Sequence, residues 1–197
     1  MTLKSSPEFN FLPGLSPALA EGFYKVGYDL AKKIHNDTSV FGFIGLAPAV
    51  VNFNLSAELY LKAIYMIQFK KRITGHRLLK LYDGLPIVIK AELEVGYQNN
   101  KTTLKKELKS YRISMMPSNI NDDSPKESKI YDSIVTLLLN HQDAFEKWRY
   151  LHELGKAKRL EYEYDFFSMD CFIKAVQVYL NKIITKSISQ YLTSKKT

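Results

Sequence analysis

Glu58 and Lys62 stand one helical turn apart in the segment LSAELYLKAIYMIQFKK, with the acid on the N-terminal side, the better orientation for an ion pair along a helix. On a helical wheel they share an arc with Leu55, Leu59, Met66 and Phe69, so the two charges are either paired and partly buried or line a cleft. A second polar group interrupts the apolar pattern at FEKWRYLHE, Phe145 to Glu153. Phe145, Trp148 and His152 share one helical face there. Arg149 borders that face, within reach of Glu146 or Glu153, of an aromatic ring, or of Glu58 on a neighbouring helix. An arginine in such a place can stabilise negative charge that develops in phosphoryl chemistry, and His152 carries the side chain that exchanges protons near neutrality, although packing is its commoner use.

Other chemistries find no support in the residue pattern. The chain has no glycine-rich phosphate loop, no HExxH, no CxxC and no GxSxG. His35, His76, His141 and His152 are scattered, so neither a metal nor another cofactor is expected. The single cysteine, Cys171, excludes an internal disulfide and any cysteine-based metal cluster. Aromatic residues interleaved with charge, as in EYEYDFF, can stack on bases, though buried tyrosine with a wetted hydroxyl is the commoner use.

The 28 Lys and Arg against 20 Asp and Glu give a net charge of +8, which favours polyanionic partners. Lys70, Lys71, Arg72, His76, Arg77 and Lys80 crowd one connection, and of these Lys70, Lys71, Arg72, Arg77 and Lys80 form the expected nucleic-acid contact. Lys101, Lys105, Lys106, Lys109 and Arg112 make a second cluster. A third, Lys156, Lys158 and Arg159, is followed by Glu161, Glu163 and Asp165, which can neutralise it. With 197 residues, 46% hydrophobic and 24% charged, the chain has the balance of a single soluble globular domain. Its 9 Gly and 7 Pro are too few for a turn-rich β-sandwich. The opening residues lack a signal peptide's apolar run and no later stretch looks long enough to span a membrane, so the expected setting is cytoplasmic.

The elements that must position these residues read as helices. Apolar spacing predicts one over residues 16–36, with Pro17 in its first turn, and a second from Pro48 to about Lys71, apolar around nearly its whole circumference and therefore central, ended by Gly75. HRLLKLYDGLP is a short helix; IVIKAELEVGY reads as a helix, with a strand left open by its β-branched start. LKKELKSYRISMM is expected to be an amphipathic helix, PSNINDDSPKES a loop, and residues 129–154 one long helix stopped by Gly155. The last helix runs over about 165–192 with a near-heptad stripe suited to an interface. The sum is an all-α antiparallel helical bundle.

Leu55 to Leu85, LSAELYLKAIYMIQFKKRITGHRLLKLYDGL, resembles the first core of HEPN domains (higher eukaryotes and prokaryotes nucleotide-binding). In those, a helix reading Glu-x-x-x-Lys-Ala-hydrophobic leads into a Gly-His-x-Leu-x-x-Leu-Tyr turn and short helix. AFEKWRYLHE is similar to the second core, where an arginine sits on a long helix. The likeness spans Asn52 to Leu154, so the HEPN-like core would occupy residues 48–155 between flanking helices. The resemblance implies a homodimeric bundle, an RNA or nucleotide ligand, and a defence or toxin–antitoxin setting with an antitoxin or nucleotidyltransferase partner. It also implies metal-independent RNA cleavage in members that keep the motif. Arg149 would be the motif arginine, with His152 as the displaced histidine and Glu58, Lys62, His76, Trp148, Tyr150 and Glu153 lining the cleft. The family's histidine follows its arginine by about four to six positions. Leu154 to Lys156 occupy that region, and His152 comes too early. The expectation is a divergent binding module in which catalysis is not intact, with an endonuclease and a purely structural oligomer as the alternatives.

Overall fold

The computed structural model describes residues 15–36, 44–115, 131–149 and 160–194. Within them the order is α1 (Leu15–Asn36), α2 (Leu46–Phe69), α3 (Leu78–Asp83), α4 (Ile87–Thr103), β1 (Ser110–Met115), α5 (Ile134–His141), α6 (Ala144–Arg149), β2 (Leu160–Asp165) and α7 (Phe166–Ser194). The fold is an all-α bundle with one small ribbon. No helix among the described residues is long and apolar enough to cross a membrane.

Helix α2 is the axis. It packs on α1, α3, α6 and α7, and its buried side chains run from Leu46 to Ile67 around most of its circumference, as an all-round apolar sequence requires. Gly27 lets α1 approach closely, because a Cβ there would stand 2.9 Å from the Phe53 ring. Polar ties fix the layer: Tyr24 donates to Asp170 (2.6 Å), and Tyr60 and Gln177 both donate to Glu21 (2.6 and 2.7 Å), joining α1, α2 and α7. The segment from Ile87, for which a strand was open, is helical through Thr103 and packs on α7.

Three expectations are corrected. Residues 110–115, expected within an amphipathic helix, form β1, paired antiparallel with β2. The reason is a period-two alternation on both segments. The register sets Tyr111 opposite Tyr164 and Ile113 opposite Tyr162, with Arg112 opposite Glu163. In the described part of the long helix expected over 129–154, residues 131–149, there are two short helices. Ser133 starts α5 with a capping box to Thr136. Asn140 and His141, poor helix formers, donate to the Thr136 and Leu137 carbonyls (both 2.8 Å), and the chain steps at Gln142 and Asp143 before α6. Finally, α2 ends at Phe69, close to the expected Lys71, but its stop is Lys70 and not Gly75. Lys70 takes the left-handed conformation (φ 52°), and the Lys71 N–H reaches back to the Tyr65 carbonyl (3.2 Å). Gly155 lies outside the described residues.

His141 and Asp165 set the junction behind the site. His141 is fully buried between the rings of Tyr131 and Tyr164, its centroid 5.2 and 4.7 Å from theirs. Its Nδ1–H donates to the Leu137 carbonyl, and its Nε2 accepts the Asp165 N–H (3.1 Å), so the ring is neutral with the proton on Nδ1. Asp165 in turn caps α7, its carboxylate accepting from the backbone N–H (3.0 Å) and hydroxyl (2.6 Å) of Ser168.

Candidate functional site

The middle of α2 carries a charge where its surroundings are hydrocarbon. Glu58 is 3% exposed, between the buried Ala57 and the core residues Tyr60 and Leu61. Two cationic or polar groups compensate it. Lys62, one turn on, donates to Oε1 at 2.6 Å, and the Nδ1 of His76 lies 3.0 and 3.1 Å from the two carboxylate oxygens. A carboxylate can only accept, so Nδ1 holds the proton and Nε2 is left for other partners. His76 reaches Glu58 because the connection after α2 doubles back: Lys70 turns the chain at the helix end, and Gly75, at φ 103°, supplies a conformation that a side chain would strain.

On the far side, α6 presents Phe145 and Arg149. The Phe145 ring lies within 13° of parallel to the His76 imidazole, with 6.3 Å between centroids, and the Arg149 guanidinium carbon sits 5.1 Å from the Phe145 centroid. His76 and Phe145 lie between the Glu58–Lys62 pair on α2 and Arg149 on α6. Asp143, just before α6, ties the same edge to the connection by pairing with Arg77 (3.5 Å) and Lys147 (3.8 Å).

Beside Glu58 opens a cleft of about 570 Å³. Leu59, Met66 and Ile73 give it an apolar floor; Lys62, Arg72 and His76 bring positive charge; Ser16 and Thr74 add hydroxyls. Its volume falls in the range typical of small-ligand sites. Lys70, Lys71, Arg72, Arg77 and Lys80 are all exposed along the adjoining connection and α3.

The other expected site residues divide cleanly. Trp148 does not line the cleft: it is 2% exposed and packs edge-on against Tyr164, 6.5 Å between centroids, because an indole of that size is stabilised more by the aromatic core around Tyr164 and Phe166 than at a wet rim. Tyr150, His152 and Glu153 lie outside the described residues. In the second basic cluster, Lys101 donates to the Tyr131 carbonyl (2.7 Å) and Lys106 sits over the Phe167 ring, both structural uses. Sequence reasoning missed Phe145 as the bridge, Asp143 as the anchor of Arg77, and Ser16, Ile73 and Thr74 as cleft residues. Only Phe145 carried a signal, its place on the face shared with Trp148.

Among the described residues no group of three His, Cys, Asp or Glu side chains is placed to hold a metal ion. No model of a known family, no curated protein and no solved structure matches the chain.

Proposed function

We propose that this chain is a non-catalytic, HEPN-like binding module of the cytoplasm that recognises RNA, working as a homodimer in a defence or toxin–antitoxin system alongside an antitoxin or nucleotidyltransferase. The observation that carries the reading is the buried Glu58 held by Lys62 and His76 at the edge of a basic cleft, with Arg149 brought alongside through Phe145. A charge kept buried on α2 at the expense of desolvation, and paired at the rim of a cleft, supports a use there beyond packing. The exposed Lys70, Lys71, Arg72, Arg77 and Lys80 extend the positive surface away from the cleft and offer contacts to successive phosphates.

Fluorescence anisotropy with single-stranded RNA at several salt concentrations tests this. Four or five phosphate contacts give a log–log salt slope of about −3. Changing Lys70, Lys71 and Arg72 together to Ala should flatten that slope by about 2 while leaving the fold intact. Absence of salt-sensitive affinity rejects the module. A second reading has a specific observation behind it: Glu58 orients His76 with Nε2 uncommitted to the carboxylate, the arrangement of a general base. His76 would then take the place of the displaced His152 in a metal-independent endonuclease. Reproducible RNA cleavage that disappears in both Arg149→Ala and His76→Ala would establish that reading and reject the non-catalytic one.

A further inference from the structure

We infer that the cleft between α2 and the connection at residues 70–77 is a site for a phosphate monoester bearing an apolar or planar body, and not for the phosphodiester of a chain interior. The inference rests on the reading of this cleft as a binding site and deepens it. The second proton of the phosphate decides between the two esters. Lys62 and Arg72 face the cleft against the single carboxylate of Glu58, and the Nε2 of His76, whose Nδ1 is committed to that carboxylate, stands there as a place for a further proton. A monoester carries about −1.5 to −2 at neutral pH and has a proton to share with that nitrogen, while a diester carries one negative charge, has no such proton and leaves Nε2 unmatched.

Glu58 does not repel such an anion directly. It is 3% exposed and sheathed by the groups that the ligand would touch. Lys62 has three donors and uses one on Glu58; His76 uses Nδ1 and retains Nε2; the exposed Arg72 offers a planar fork matched to phosphate oxygens. The floor of Leu59, Met66 and Ile73 is hydrocarbon and suits the ester's body, and about 570 Å³ accommodates one small molecule and not a duplex. The monoester can be a free small molecule or the phosphorylated end of an RNA, and the chemistry at the protein is the same.

The test is calorimetric titration of the full chain with a nucleoside 5′-monophosphate, its parent nucleoside and its 3′,5′-cyclic diester. Oligoribonucleotides bearing a 5′-phosphate or a 5′-hydroxyl complete the series. The monophosphate should bind at least tenfold more tightly than the cyclic diester and about a hundredfold more tightly than the nucleoside, since each charge-assisted contact contributes about a factor of ten. Arg72→Ala, on an exposed residue that the fold does not need, should weaken the monophosphate about tenfold and leave the nucleoside unchanged. A 5′-phosphate that strengthens RNA binding by a similar factor assigns the site to chain ends. Monophosphate binding with no difference between the two RNA ends assigns it to a free small molecule. Equal affinity for monoester and cyclic diester, or no effect of Arg72→Ala, overturns the inference. Salt-sensitive binding of 5′-hydroxyl RNA without any monophosphate binding overturns it while leaving the RNA-binding module standing; failure of every ligand removes both.

Discussion

Replacing Lys62 by Met gives the sharpest test of why Glu58 is tolerated inside α2. The Glu58 side chain is 4% exposed, Lys62 is 21% exposed and His76 is 65% exposed, so Lys62 supplies the better-shielded half of the compensation. Breaking a fully buried pair by removing one partner costs about 3–5 kcal/mol, because the charge left behind is still desolvated. Here the lysine is partly wet and His76 still faces the carboxylate, so the expected loss is about 2–3 kcal/mol, a large share of a domain's margin. For a chain of this size that lowers the melting temperature by about 5–10 °C. His76→Ala removes the more exposed partner and should cost about 1 kcal/mol. The double variant Glu58→Leu with Lys62→Met removes the buried charge together with its partner and should recover most of the stability lost by Lys62→Met alone. Urea denaturation of the unchanged chain, Lys62→Met, Glu58→Leu and the double variant closes the cycle. If Lys62→Met unfolds within about 0.5 kcal/mol of the unchanged chain, or if the double variant is less stable than the sum of its single changes, the carboxylate does not depend on these partners and the reasoning fails.

Lys70→Gly relieves a side chain from the left-handed conformation at the end of α2 and should raise stability by about 1 kcal/mol; a lower melting temperature would show that the lysine side chain holds the connection. Burial raises the hydroxyls of Tyr24, Tyr60, Tyr97 and Tyr164, and it pushes Tyr28 and Tyr82 up to about 12. Their neutral forms therefore favour the fold fully below the ordinary tyrosine range, and that contribution is lost as pH rises from about 10 towards 12. Ultraviolet titration should show those tyrosines ionising together with loss of helical circular dichroism, and titration without unfolding would contradict their burial. The Cys171 thiol, buried and pushed up to about 12 by desolvation, should react with a chromogenic disulfide reagent only at the rate of unfolding. His141→Phe keeps a ring between Tyr131 and Tyr164 but strands the Asp165 N–H; a loss of about 1–3 kcal/mol is expected, and an unchanged melting temperature would show that this hydrogen bond contributes nothing.

Helices with long uninterrupted periodicity were legible from the residues alone: α1, α2 and α7 lie within a few positions of where the apolar spacing puts them, and the all-round hydrophobicity of α2 identified the axis. What escaped were elements whose signal is short or shared. Ser110 to Met115 has only six residues to display its alternation, and the helix-forming LKKEL before it dominates the window. The step at Gln142 and Asp143 rests on side chains that take carbonyls and Arg77 as partners, which no periodicity records. The ion pair of Glu58 and Lys62 was readable because both ends lie on one helix at a fixed spacing. The contribution of His76 was not, since it depends on two backbone turns, at Lys70 and Gly75, in a connection without period.

The same dependence joins stability to binding. The connection that brings His76 to Glu58 also brings Arg72, Ile73 and Thr74 to the cleft, so the residues needed to neutralise a charge inside α2 and those that would meet a ligand are held by one backbone path. An anion in the cleft would share Lys62 and His76 with Glu58, through the remaining N–H groups of Lys62 and the Nε2 of His76, and need not displace them. The connection would then be held from both sides. Any ligand that binds this folded arrangement and not the unfolded chain stabilises it, by about 2.7 kcal/mol at a hundred times its dissociation constant. Stabilisation of that size should vanish in a Gly75→Val chain, whose β-branched side chain is strained at φ 103° and would draw His76 away from the carboxylate. A Gly75→Val chain that still gains the full stabilisation would mean that the cleft forms without the turn, and the coupling between the buried charge and the ligand site would not hold.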